Sequence, residues 1–207
     1  MMETTVYVLN NRRLPWGDYG DILLSGMTSH LGRDHGMLQL ERTGPFVPPI
    51  AITGIDARGY SQIMVTDAHK SLLEATNLTG LRFLPVIKKH IVHLEWQRWD
   101  QTAGEPLEYP ESGEPEDYIL ARRHDQALAD QMGALWELCL EEHARTERMH
   151  VGPGRWDEAI WLIRDSWDGT DWFRATGVGY VYVSEKAKRW LEQTVPEWVT
   201  LDPASLR

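Results

Sequence analysis

The stretch Gly177 to Pro203 (GVGYVYVSEKAKRWLEQTVPEWVTLDP) has an ungapped echo 118 positions upstream, Gly59 to Pro85 (GYSQIMVTDAHKSLLEATNLTGLRFLP). Seven of the 27 aligned positions are identical, among them Val183 on Val65, Lys188 on Lys70, Leu191 on Leu73 and Pro203 on Pro85. Each copy reads as strand, capped helix, strand. Val181 to Val183 is a β-branched and aromatic run. Ser184 follows, where its hydroxyl can accept from a free N–H of a first helical turn, and Glu185 suits the helix dipole. Ala187, Trp190, Leu191 and Thr194 recur at helical spacing as one buried stripe. Pro196 ends the helix, and Trp198, Val199 and Leu201 begin a second extended run. Upstream, Thr66 is the cap, Leu72, Leu73 and Thr76 are the stripe, and Asn77 to Gly80 is the exit. These residues build scaffold, and none stands where a catalytic group would.

Between the copies, Asp117 to Met149 reads as one long helix, because Leu128, Met132, Leu135, Trp136, Cys139, Leu140 and His143 recur three and four apart. Gly152-Pro153-Gly154 would stop it. Trp156 to Ile163 fits a short helix or a strand equally well. Ahead of the first copy, Thr4 to Leu9, Asp21 to Ser25 and Met37 to Glu41 read as short strands, with Asn10 to Arg13 as a turn. The proline-rich TGPFVPPIAITG is extended or looped. After the first helix a long strand, Leu81 to Trp96, is expected, with Ile91, His93 and Glu95 on its wet face. The fold expected is α+β: two related strand–helix–strand units plus one long helix on a mixed or antiparallel sheet. The chain is read as one domain over residues 1–207, open to division into two pseudo-repeated halves, 1–100 and 118–207, joined by an acidic loop, 101–117.

A formal charge of −10 argues against nucleic acid, whose phosphates need cationic side chains, and against an anionic membrane surface. It keeps the chain soluble and would suit a basic partner. The single cysteine, Cys139, has no partner for an internal disulfide and reads as a small core residue on the helix stripe. With no secretory signal pattern at the start and no apolar run near 18 residues, the cytoplasm is the expected compartment. Ten tryptophans are scattered along the chain, which suits core and edge packing better than a sugar-stacking row.

No Walker loop, GxSxG, HExxH or CxxC pattern occurs. His90 and His93 lie three apart on a strand and face opposite ways. His30, Asp34 and His35 share a glycine-rich loop that could gather around a metal. Asp165, Asp168 and Asp171 are spaced by three, not two, which suits turns better than a calcium loop. No metal and no cofactor is expected. The acidic loop Gln101 to Asp117 carries six acids and no base, and its composition favours weak order. Glu105, Glu108, Glu111, Glu114, Glu116 and Asp117 are therefore either a solvated linker or a contact surface that steers a cationic protein.

The wording of the repeated segments, VTDAHKSLLEATNLTGLRFLPV and DWFRATGVGYVYVSEKAKRWLEQ, resembles small bacterial immunity proteins of polymorphic toxin systems, the myxobacterial double-CXXCG group and related immunity families. Val65, Thr66, Asp67, Leu73, Gly80, Phe83, Pro85 and Val86 carry the resemblance in the first copy. Val183, Ser184, Glu185 and Leu191 carry it in the second, after Asp171-Trp172-Phe173-Arg174. The CXXCG pair itself is absent, so no zinc knob is expected. The resemblance implies an immunity protein that binds a cognate toxin domain with a basic cleft and blocks its active or substrate site, without catalysis. The competing reading is a small cytoplasmic enzyme whose site is assembled from distant loops, around His30, Asp34, His35 and Trp156 to Asp171.

Overall fold

The structure is a computed structural model that describes residues 5–28, 30–152 and 158–207. The chain runs β1 (Val6–Asn11), α1 (Asp18–Ser25), β2 (Arg33–Asp34), β3 (Met37–Gly44), β4 (Ile50–Ile55), β5 (Ser61–Thr66), α2 (Asp67–Glu74) and β6 (Phe83–His93). It continues through α3 (Asp117–Leu120), α4 (Gln126–Gln131), β7 (Leu135–Leu138), β8 (Glu142–His150), β9 (Glu158–Leu162), β10 (Trp172–Thr176), β11 (Val181–Ser184), α5 (Glu185–Thr194) and β12 (Val199–Pro203). The strands form two six-stranded mixed sheets, β12-β1-β11-β10-β8-β9 and β2-β3-β6-β7-β5-β4. The protein is thus mostly β, and the α+β expectation with one long helix is overturned.

The long helix fails for identifiable reasons. Asp125 caps α4 by accepting from the Leu128 N–H at 2.9 Å, but the helix ends after six residues, and Gly133, at φ 68°, turns the chain away. Beyond that turn the chain enters β7, a strand hidden on both sides. Leu135, Glu137 and Leu138 are all buried, so the run lacks the alternation of a half-exposed strand and imitates a helical stripe. Pro153, Gly154 and Trp156 lie outside the described residues. Asp21 to Ser25 belongs to helix α1, not a strand. The last turn of α1 is held by Arg42, which is fully buried and donates to the carbonyls of Leu24 and Ser25 and to that of Phe46, so a cation meets the negative end of the helix. Burial lowers this guanidinium to about 10. Asn10 and Asn11 extend β1 and do not turn it; the Asn11 amide accepts from the Ile52 N–H at 2.7 Å and donates to the Ile52 carbonyl at 2.8 Å. Ile91 is fully buried against Leu128 and Ala129 of α4, so only His93 of the supposed wet face is fully exposed.

The two capped helices stand where the repeat places them. The Thr66 hydroxyl accepts from the His69 N–H, and the Ser184 hydroxyl from the Ala187 N–H. Their flanking strands are not neighbours, however. β5 and β6 run parallel with β7 inserted antiparallel between them, and β11 and β12 run parallel with β1 inserted the same way. The register preserves the 118-residue offset. Phe83 to Pro85 faces Leu138 to Trp136 as Leu201 to Pro203 faces Leu9 to Tyr7. Leu135 to Leu138 lies on Thr66 to Ile63 as Val6 to Leu9 lies on Ser184 to Val181. Each unit is thus completed by a strand from the far part of the chain.

The inserted strands are fastened alike. The Trp136 indole donates to Asp67 at 2.8 Å while the Lys70 ammonium sits 4.6 Å from its ring; the Tyr7 hydroxyl donates to Glu185 at 2.7 Å while the Lys188 ammonium sits 4.9 Å from its ring. One core fills the space between the sheets and helices. In it Leu73 and Ala187 meet Ile50, Ile63 and Leu138 of one sheet and Leu9, Val183 and Trp172 of the other.

Asp171 joins the two units. This buried carboxylate accepts from the Ser184 hydroxyl at 2.6 Å, the Thr79 N–H at 2.9 Å and the Thr79 hydroxyl at 3.1 Å, with the Lys186 ammonium at 3.5 Å. Burial alone would raise it, but these donors and the ammonium hold it below its ordinary value. Replacing Ser184 with Ala therefore removes both a cap and a donor to a buried anion. Thr66→Ala should cost about 1 kcal/mol of unfolding free energy, and Ser184→Ala a further ~1–3 kcal/mol. Urea denaturation of the two variants checks the difference; equal costs would show that Asp171 does not depend on Ser184.

A second expectation concerns His69, buried on α2 with its ring 5.1 Å from that of Trp190 and with Nε2 unpartnered among the described residues. Burial lowers it from 6.5 to about 4. The unfolded chain therefore takes up a proton first as pH falls, and the stability carried by neutral His69 is lost between pH 6.5 and about 4. His69→Leu should flatten that acid limb by about 3 kcal/mol, measured as unfolding free energy at pH 7 and pH 4.

Candidate partner-binding surface

The acidic loop is not a slack linker. Its backbone is strapped to the body by aromatic donors: Trp16 Nε1 to the Ala103 carbonyl at 3.1 Å, the Tyr19 hydroxyl to Gly113 at 2.5 Å and the Tyr118 hydroxyl to Glu108 at 2.5 Å. Arg12 bonds Gln101 at 2.7 Å, and Pro106 is buried. The composition suggested weak order because it counted only the loop's own apolar residues. The missing anchors are Trp16, Tyr19, Trp99 and Tyr118, which belong to the neighbouring cluster with Leu23 and Trp96. Burial pushes the Tyr118 phenol up to about 12, so it stays a donor at any physiological pH.

Held this way, the loop exposes Glu105, Glu108, Glu111, Glu114 and Glu116 and leaves Asp117 half-buried. Only Glu108 has a cationic partner among the described residues, Arg122 at 2.9 Å. Two features were not visible in the sequence. Leu107 is 77 % exposed and Tyr109 is 49 % exposed, so apolar surface is interleaved with the acids. Asp18 and Asp21, on the first turn of α1, line a shallow pocket with Glu114 and Glu116. Partial burial and the neighbouring Asp18 carboxylate raise Asp21 above its ordinary value. The separation of some ninety residues between these acids hid their meeting; Asp21 was read as the start of a short strand, and Asp18 lay just ahead of it.

The other candidates do not converge. His30 contacts the buried Glu41 at 3.0 Å, whereas His35 and Asp34 lie 3.6 Å apart at the surface. Glu41 also has His90 Nδ1 at 3.8 Å, yet no group of three such side chains among the described residues is placed to hold a metal ion. Asp168 accepts from its own turn, the Thr170 hydroxyl and N–H, and contacts His143 at 2.7 Å; these bonds, with burial opposing, lower it to about 2. Ser166 lines the same shallow pocket as His143 and Asp168, but its hydroxyl donates to the Ile163 carbonyl and accepts from the Arg145 N–H, with no bond to His143, so the arrangement fails the nucleophile–base test. Cys139 is buried, on the turn after β7 instead of a helix, and burial pushes its thiol up to about 11, which leaves it inert near neutrality. No helix among the described residues is long and apolar enough to cross a membrane.

No family model matches the chain, and no curated protein matches it.

The strap can be tested directly. Tyr118→Phe removes the Glu108 tether without opening a cavity. Amide exchange from Leu107 to Gly113 should speed up several-fold while the strands keep their protection, because the loop opens locally. Uniform loss of protection would mean that Tyr118 supports the whole fold.

Proposed function

We propose that this protein is an immunity protein: it binds a cognate toxin domain through the acidic strap and blocks its active or substrate site. The observation that carries the reading is the strap itself, an ordered surface of mostly unpaired carboxylates with Leu107 and Tyr109 exposed among them. Exposed acids speed encounter with a basic cleft, and the apolar side chains supply contact area once the surfaces meet. The resemblance of the repeated units to immunity families supports the same reading. An interface of standard size, on the order of 1,600 Å², is expected, and the cytoplasm of the producing cell is the expected place of action.

The test is capture of the partner by the full-length protein, at low and at moderate salt, beside the triple variant E105K/E111K/E114K. One stoichiometric partner that carries a toxin domain with a basic cleft is expected. The variant should associate at least about tenfold more slowly while its melting temperature holds, and salt should slow association more than it speeds release. Capture that is equal for the two proteins would remove the strap from the interface. A folded protein that captures nothing would overturn the immunity reading.

A further inference from the structure

A cleft of about 920 Å³ opens between α5 and the chain leaving α2, remote in sequence from the acidic strap. Its volume is in the range that holds a drug-sized ligand. Two half-buried tryptophans contribute walls. Trp167 has one face stacked on Phe173 at 5.5 Å, and Trp190 packs on His69; both present further surface to the cleft. Asn77 and Gln193 also line it, and their side-chain amides make no hydrogen bond among the described residues. Its charges cancel in place. Lys186 reaches the Asn77 carbonyl at 2.6 Å and Asp171 at 3.5 Å, and Arg189 pairs with Glu185 at 3.1 Å. Such a lining favours neither an anion nor a cation.

The repeat supplies an internal control. At the 118-residue offset, Lys186, Arg189, Trp190 and Gln193 correspond to Ala68, Ser71, Leu72 and Ala75. The first unit keeps the same cap, the same buried leucine and the same strand register with these smaller residues. Arg189, Trp190 and Gln193 are therefore not needed to build such a unit, whereas Lys186 also serves the Asp171 junction. They line the cleft together.

We propose that this cleft binds a neutral oligosaccharide, with Trp167 and Trp190 against the apolar faces of sugar rings and the Asn77 and Gln193 amides bonded to hydroxyl or acetamido groups. The site is independent of the strap and of the toxin-binding reading. The test is titration of the full-length protein with triacetylchitotriose and cellotriose, followed through the indole N–H signals of the tryptophans, with a sulfated disaccharide and an acidic peptide as charged controls. The signals of Trp167 and Trp190 should shift saturably with at least one neutral sugar. Trp190→Leu and Gln193→Ala, each taken from the matching position of the first unit, should weaken binding about tenfold or more. Gln193 is exposed, so its variant reports on binding even if Trp190→Leu unfolds. Silence of both indoles at about 10 mM sugar, unchanged affinity in Gln193→Ala, or preference for a charged control would each overturn the proposal.

Discussion

Everything around the two helices depends on one buried carboxylate. Asp171 sits at the start of β10 and touches the cap of α5 and the exit of α2 at once. An ionised group in that position is costly unless its lone pairs are met, and here three donors and an ammonium meet them. The surrounding backbone is drawn in to match. The Trp172 N–H donates to the Thr79 carbonyl, and the Asp171 N–H to the Thr79 hydroxyl. Gly80 passes so close that a Cβ there would lie 2.1 Å from the Trp172 carbonyl oxygen, at a φ of 84° that also favours glycine. The counterpart of the Asp171 contact in the first unit is plain: the Thr66 N–H donates to the Pro49 carbonyl as the Ser184 N–H donates to that of Asp171. The side-chain junction is thus an addition that one unit carries in order to hold the other.

What the sequence made legible was local. A hydroxyl cap followed by an acid and a three–four apolar stripe needs only eight to ten consecutive residues, so the helices at Asp67 and Glu185 could be placed from those residues alone. Strand partners are set by contacts from about fifty to nearly two hundred residues away, and no local pattern reports them. β1 lies between β11 and β12, and β7 between β5 and β6, an exchange between distant parts of the chain that periodicity cannot encode. The long helix was misread for a related reason. Leu135, Glu137 and Leu138 are buried because both faces of β7 are covered, Leu138 packing with Ile63 and Leu73 and Leu135 with Leu38 and Met64, and the polar Glu137 is tolerated there because Arg33 bonds it bidentately at 2.7 and 2.5 Å.

At the surface, the six acids of the strap were visible as composition, but their order was not. Composition treats a segment as if it must bury its own residues to become ordered. Here order comes from donors elsewhere, Trp16 and Tyr19 before it and Tyr118 just after it, each apolar enough to be buried and each with one polar atom left to spend on a loop carbonyl. The tryptophans show the same limit. Trp96 and Trp172 are core residues, as their number and scatter suggested, whereas Trp167 and Trp190 are only half-buried and share the wall of one cleft despite lying 23 positions apart.

The division of labour between scaffold and surface follows from which residues the two units share. Val65 and Val183, Thr66 and Ser184, Leu73 and Leu191 are strand, cap and core in both. They report how the unit is built and are silent on what it meets. The features that could recognise something lie outside the shared set: the strap falls between the units, and the cleft residues Lys186, Arg189, Trp190 and Gln193 appear in the second unit only. A fold held by Asp171, the two caps and the two inserted strands leaves the strap, and within the cleft Arg189, Trp190 and Gln193, free to change without unfolding the frame. Recognition can therefore be altered at the strap or in the cleft one region at a time, whereas a change at Ser184 or Asp171 reaches both units together.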